Sequence, residues 1–248
     1  ATTAAANGVG TLYPNGFLPL INTRSKDINS ALGLRGDLGE WKIDLNVSYG
    51  RNQIDFRTLN SANYSYGTAS PRNFYDGRLT YQQFVAGADV SRKFDVFQSL
   101  NLAFGVEGRR EWFSIGAGER ASYDYFDPNN PSGTPGAQGF GGFAPRNVID
   151  RSRRNISGYV DLEAQVTDAF LIGVAGRVED YSDFGSTANG KVSARYDFTP
   201  WFALRGSVST GFRAPALQQQ YFTQVASVVV NGTPILTGTY PSTDPVAR

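Results

Sequence analysis

The 248-residue sequence contains no cysteine, no histidine and no methionine. Without cysteine there are no disulfides, no thiolate nucleophile and no thiolate metal ligand. Without histidine, Ser-His-Asp and Cys-His catalysis are excluded, together with nearly every zinc constellation. The missing methionine, initiator included, predicts a processed or partial chain. No apolar run is long enough for a membrane-spanning helix, and the N-terminus carries no signal-peptide pattern. Lys and Arg number 23 against 22 Asp and Glu, a formal net charge of +1, so no basic footprint for nucleic acid exists. No nucleophile motif is present, no enzymatic activity is expected and no cofactor is implied. What is plentiful is glycine (28), phenylalanine (17) and tyrosine (13), a composition that favours an all-β protein.

Period-two alternation runs through the chain. In "WKIDLNVSY", Trp41, Ile43, Leu45, Val47 and Tyr49 alternate with Lys42, Asp44, Asn46 and Ser48. The same pattern recurs in "LNLAFGVEGRREWFS", "ISGYVDLEAQV", "FLIGVAGRVEDYSDF" and "GKVSARYDF". About eight strands are predicted, near 28–37, 41–57, 78–92, 99–115, 152–167, 170–183, 190–198 and 201–213. Sixteen residues at ~3.3 Å each reach ~50 Å, enough to cross a bilayer at a tilt and project beyond it.

The connections choose the architecture. Short turns at 37–40, 93–98, 167–169 and 199–200 alternate with long connections at 58–77 and 116–151, a medium one at 184–189, and a long segment after 213. All short turns then lie at one end of the sheet and all long loops at the other, the pattern of an outer-membrane barrel with lipid-facing apolar and lumen-facing polar residues. Trp41, Phe94, Phe97, Phe170, Phe198 and Trp201 lie near the short turns, and Trp112, Phe113, Tyr181, Phe184 and Phe212 toward the long loops, as two aromatic girdles would. A soluble β-sandwich also alternates, but long strands apolar on one face aggregate unless closed or covered.

"LRGSVSTGFRAPALQQQYF" (204–222) resembles the mid-barrel signature of TonB-dependent outer-membrane receptors, in which a strand ends in Gly-Phe-Arg-Ala-Pro and opens into an extracellular loop. The segments 75–96, 100–123 and 158–201, the last carrying "EDYSDFGS", resemble consecutive hairpins of that family. Ala216 stands where many relatives have serine. The resemblance implies an antiparallel transmembrane barrel of about 22 strands, of which this chain supplies about eight. It implies a domain organisation of lead-in (1–27), barrel strands (28–213) and extracellular loop (214–248), with the plug domain and the C-terminal strands outside the chain. It also implies the outer membrane of a Gram-negative bacterium and active uptake of a scarce nutrient, a ferric siderophore or similar. The partners implied are the lipid bilayer and lipopolysaccharide, the receptor's own plug and remaining strands, TonB through that plug, and a small-molecule or oligomeric nutrient. A passive porin-like or adhesin-like barrel is the first alternative, and a soluble β-sandwich binding module the second.

Pro215 lacks an amide donor and biases Ala214 to extended geometry, so ladder pairing is expected to end there. Arg213 falls on the lumenal side, placed to hold a barrel-wall carboxylate or a ligand anion. Loop 116–150 offers Tyr123, Tyr125, Phe126, Phe140 and Phe143 as a stacking platform with Arg120, Asp124, Asp127 and Arg146 as polar contacts. The same aromatics equally serve to pack the loop on itself. Loop 58–77 adds Tyr64, Tyr66, Phe74 and Tyr75 near Arg72. If the long loops converge, Tyr64, Tyr66, Arg72, Tyr123, Tyr125, Phe126, Arg146 and Arg213 become the candidate ligand contacts. Asp124, Asp127, Asn129 and Asn130 are hard oxygen donors, but Asp-Pro-Asn-Asn-Pro is ordinary turn chemistry, and no metal site is expected. "GFGGF" (139–143) lacks the lysine and strand–turn–helix setting of a phosphate loop. Glu107, Glu111, Asp161, Glu163 and Glu179 among Arg109, Arg110, Arg177, Arg195 and Arg205 read as mixed-sign ladders that stabilise the wall and dock a plug.

Overall fold

In the computed structural model, residues 8–129, 133–230, 233–241 and 244–247 are described. Eight antiparallel strands form one meandering sheet in chain order: β1 (Leu20–Leu38), β2 (Trp41–Leu59), β3 (Phe74–Phe94), β4 (Ser99–Ala117), β5 (Ile149–Thr167), β6 (Phe170–Tyr181), β7 (Gly185–Thr199) and β8 (Phe202–Ser209). Each strand pairs only with its sequence neighbours, and β1 and β8 do not pair with each other, so this is one open wall and not a two-sheet sandwich. A separate hairpin follows, β9 (Gln224–Val230) with β10 (Thr233–Thr239).

The register turns the alternation of the sequence into two faces. Leu32, Val47, Ala86, Gly108 and Ile156 share one outward row, and Leu34, Leu45, Ala88, Val106 and Gly158 the next. The band continues through Val174, Val192 and Val208. These side chains are exposed: Leu34 by 70%, Val106 by 61% and Val208 by 80%. A continuous, solvent-accessible aliphatic band of this kind needs lipid to cover it. The opposite face is polar: Arg35 pairs with Asp44, and Tyr159 donates to Asp89 at 2.7 Å.

The short-turn end carries a linked aromatic rim. Trp41 meets Phe94 and Phe104 edge-on at 6.1 and 6.0 Å, Tyr196 meets Phe198 at 4.8 Å, and Phe202 lies beside Trp201. The expected rim at the other end is corrected. Trp112 faces outward beneath Arg110, whereas Phe113 points inward and is 1% exposed. Tyr181, Phe184 and Phe212 form a ring cluster with centroids 5.9–6.5 Å apart, and Tyr181 and Phe212 line the lumenal cavity described below. Arg110 likewise leaves the lumenal ladder in which it was expected.

Several element bounds differ from expectation, β3 beginning at Phe74 and β5 at Ile149, and three further differences are larger in consequence. β1 begins at Leu20, because β2 extends to Leu59 and the two pair throughout. Where both faces meet water, apolar alternation disappears from the sequence while the hydrogen-bond ladder continues. The connection expected at 184–189 closes within residues 182–184, with Gly185 at φ +74° supplying the left-handed turn. β8 stops at Ser209, four residues before the expected end, and the segment after it holds a short helix (Leu217–Tyr221) and the β9–β10 hairpin.

Candidate functional site

The loops fold inward over the lumenal face. Phe113 and Ile115 of β4, Phe143 of the 118–148 loop and Leu217 of the helix are each 1% exposed and form one core, flanked by Phe56, Leu79, Tyr81, Phe140, Ile149, Tyr221 and Phe222. Phe56 stacks on Phe140 at 5.4 Å, and Phe143 meets Phe56 and Phe222 edge-on. Thus Phe140 and Phe143 are packing residues. The signal that marks this layer is weak in sequence, because loop aromatics suit a ligand and a core equally.

Buried polar groups hold the layer in place. Asn63 donates to the carbonyls of Ala121 (2.7 Å) and Asp124 (2.8 Å), tying loop 60–73 to loop 118–148. The Ser122 hydroxyl donates to the Glu119 carbonyl, and its own carbonyl accepts from Gly142 and Ala137. At Gly142 a Cβ would stand 1.9 Å from Ser122 Oγ, so only glycine fits there. Asp76, fully buried at the loop end of β3, accepts from the Thr58 hydroxyl through Oδ2 at 2.7 Å, while Oδ1 has no hydrogen-bond partner among the described residues. Eight residues separate Asp76 from Phe84, the last outward apolar side chain of β3, about 26 Å along the strand, so it lies outside the lipid band. Burial pushes its carboxyl up to about 7, with Thr58 opposing and Glu119 adding to the shift.

Two groupings emerge among the candidate contacts. In the loop layer, Tyr66 meets Phe126 edge-on at 5.0 Å and Tyr64 meets Phe17 at 6.5 Å. Burial raises both phenols, leaving them neutral donors at physiological pH. Tyr123 and Tyr125 are half-buried in the same layer. Arg72 joins the Tyr64 side of this layer, 5.0 Å over the ring of Tyr13, which meets Phe17 at 4.5 Å, and donates to the Leu12 carbonyl; Arg146 is exposed on the turn Pro145–Asn147. Asp127 accepts from the Asn129 amide and Asp124 pairs with Arg120, so their oxygens serve turns and an ion pair; Asn130 lies outside the described residues.

The second grouping is a lumenal cavity of about 570 Å³ beneath the loop layer, lined by Tyr81, Arg109, Glu111, Arg153, Arg177, Glu179, Tyr181 and Arg213 among others. Glu107 accepts from Arg109 at 2.8 Å, Glu179 pairs with Arg177 at 3.1 Å, and Arg153 grips Glu111. Arg213 is exposed into this cavity and, among the described residues, makes no ion pair; the expected bond to a wall carboxylate is absent there. Sequence reasoning missed Arg153, whose Nη1 donates to the Pro215 carbonyl and fastens Gly-Phe-Arg-Ala-Pro to the wall. Its inward position follows from the period of β5; its hydrogen-bond partners Glu111 and Pro215 are 42 and 62 residues away in sequence.

A long-stranded meander with an apolar outer band, a polar inner face and inward-folded loops at one end is a segment of transmembrane β-barrel wall. The family described as TonB dependent receptor-like, beta-barrel matches residues 2–245, and the chain belongs to that family. None of the curated proteins matches it. Among solved structures, the chain is similar to the siderophore receptor PirA from Acinetobacter baumannii (TM-score 0.57, 17% identity, 82% of this chain and 28% of that one). It is also similar to a G324V mutant of the ferric enterobactin receptor PfeA from Pseudomonas aeruginosa (0.58, 12%, 82% and 28%). A third is the RagAB peptide transporter (0.56, 13%, 90% and 26%). At these identities the likeness shows the fold, and the chain spans 26–28% of those chains.

Proposed function

We propose that this chain forms the mouth-side wall of an outer-membrane receptor of a Gram-negative bacterium that actively takes up a scarce nutrient of the ferric siderophore class or similar. The observation that carries the reading is the cavity under the loop layer. Its lining holds four arginines against Glu111 and Glu179, and Arg213 has no ion pair among the described residues. Such a site suits a ligand with anionic oxygens and flat apolar faces, the former met by guanidinium groups and the latter by Tyr81 and Tyr181. The siderophore receptors among the structural neighbours support this class. Family membership supports the partners: a plug domain, the remaining barrel strands and TonB acting through the plug.

In this reading Tyr64, Tyr66, Tyr123, Tyr125 and Phe126 make first contact at the mouth, Arg72 and Arg146 flank it, and Arg213 receives the anion within. The test is uptake of labelled ferric siderophores by cells carrying the complete polypeptide, with and without a proton gradient. Gradient-dependent uptake that falls in a combined Tyr64→Ala, Tyr66→Ala, Tyr123→Ala, Tyr125→Ala variant and in Arg213→Ala supports the proposal. Uptake that survives dissipation of the gradient assigns a passive barrel instead.

A further inference from the structure

The glycine-rich residues 139–143 fold into the loop layer as a bow pinned at both ends. Gln138 donates its amide to the Ala62 carbonyl at 3.1 Å, and Phe143 donates its amide to the Asp76 carbonyl at 2.8 Å. Between those pins Gly139 takes φ +99°, and the Phe140 ring stacks on Phe56. The Phe140 carbonyl accepts from one donor among the described residues, the Thr58 hydroxyl at 3.1 Å. The bow is part of the roof over the lumenal cavity, because Phe143 belongs to the buried core and Tyr81 both flanks that core and lines the cavity.

Thr58 is fully buried, and its hydroxyl faces two oxygens with a single proton. Asp76 Oδ2 lies 2.7 Å away and the Phe140 carbonyl 3.1 Å. With Asp76 ionised, both oxygens are acceptors and compete for that proton. With Asp76 protonated, Oδ2–H donates to Thr58 Oγ1, whose own proton is then free for Phe140, and both contacts become hydrogen bonds. The second carboxyl oxygen favours the same state. Oδ1 is buried without a hydrogen-bond partner among the described residues, an arrangement that costs far less for a neutral acid than for a carboxylate. The surroundings offer no compensating cation. Arg57 is exposed over the Tyr75 ring, Arg78 pairs with Asp55, Arg120 pairs with Asp124, and Arg72 lies over Tyr13. Residues 133–143 carry no charge. Burial, joined by the charge of Glu119, keeps the proton on.

We propose that Asp76 is a proton latch on the mouth: protonated, it turns the Thr58 hydroxyl onto the Phe140 carbonyl and closes the bow, and on losing its proton to bulk water it takes that hydroxyl for itself and lets the bow lift off Phe56. No cargo is needed, so the device stands apart from the functional reading above.

The complete polypeptide, folded in detergent, is followed by amide hydrogen exchange at pH 6 and pH 8, corrected for the intrinsic pH dependence of exchange. With the carboxyl titrating at about 7, the Gly142 and Phe143 amides are expected to lose roughly tenfold of their protection between those pH values, whereas Ala137 and Gln138, outside the bow, hold theirs. Asp76→Asn, whose amide donates to Thr58 at every pH, keeps the bow closed at pH 8. Thr58→Val keeps the shape and loses the hydroxyl; it is expected to exchange at pH 6 as fast as the wild type does at pH 8, and Thr58→Ser to behave as wild type. In the infrared, the difference spectrum of the wild type between the two pH values shows a protonated-carboxyl band that Asp76→Asn removes, a readout that needs no variant of Thr58 to fold. Bow exchange independent of pH in the wild type, a missing carboxyl band, or a Thr58→Val chain as protected as wild type overturns the proposal. Equal loosening at Ala137 and Gln138 also overturns it, because the charge then loosens the whole layer and not the bow.

Discussion

Arg153 holds Glu111 Oε2 through Nε at 2.9 Å and Nη2 at 2.7 Å while its Nη1 donates to the Pro215 carbonyl at 2.8 Å. One buried side chain therefore joins β4, β5 and the start of the last loop. Breaking a buried pair from one side leaves an uncompensated charge, at a cost of about 3–5 kcal/mol, whereas replacing both partners by apolar groups is often neutral. Arg153→Met is expected to lower the unfolding midpoint of the folded barrel, and Arg153→Met with Glu111→Leu to restore most of it. In both variants the amides of 213–222 exchange faster, because the Pro215 anchor is lost; unchanged exchange would show that the clamp does not position that segment.

Tyr159 reaches across Gly105 to Asp89, and a Cβ on Gly105 would stand 2.5 Å from Asp89 Oδ1 and 2.7 Å from the Tyr159 ring. Gly105→Ala must push that ring aside and break the bond. Overpacking of this kind costs about 1–3 kcal/mol. Denaturant unfolding of the barrel checks the loss, and Tyr159→Phe with Gly105→Ala separates the clash from the hydrogen bond.

Asp76 gives the loop layer a pH dependence. Its carboxyl titrates near 7 in the fold, against an ordinary value of 3.8. Between those values the unfolded segment releases a proton that the folded one retains, so stability falls as pH rises through that window and levels off above about pH 7. Proteolytic protection of residues 118–148 is expected to be greater at pH 5 than at pH 8. In Asp76→Asn that difference should vanish, with protection at pH 8 above wild type. Equal protection at both pH values in the wild type would rule out the buried carboxyl as the cause.

Val106 lies 61% exposed in the middle of the apolar band. An arginine there must sit in hydrocarbon or snorkel away from it, at about 2–4 kcal/mol near the bilayer midplane. Val106→Arg is expected to impair folding into vesicles, whereas the same change at Ser114, four rows nearer the loops on the same face, is expected to be mild. Equal effects would mean that the band is not the lipid-facing surface.

The sequence by itself determined the wall. A side-chain period of two, applied to Trp41–Tyr49 or Leu100–Val106, assigns each residue to a face without knowledge of its partners, and strand length with turn spacing orders the hairpins. The Gly-Phe-Arg-Ala-Pro stretch marked the family, but not the end of its strand, because β8 stops at Ser209 and the stretch follows it. Beyond the bilayer this reading lost its signal: in Leu20–Asp27 both faces meet water, so nothing in hydropathy marks a strand that pairing with β2 plainly extends. Only the tertiary structure decided what lies above. Phe113 and Leu217 are 104 residues apart in sequence and, with Phe143, become a core because the loops turn inward. Arg153 becomes a clamp because β4 brings Glu111 beside it. Contacts between distant parts of the chain follow no local period, which is why they had to be seen in the fold.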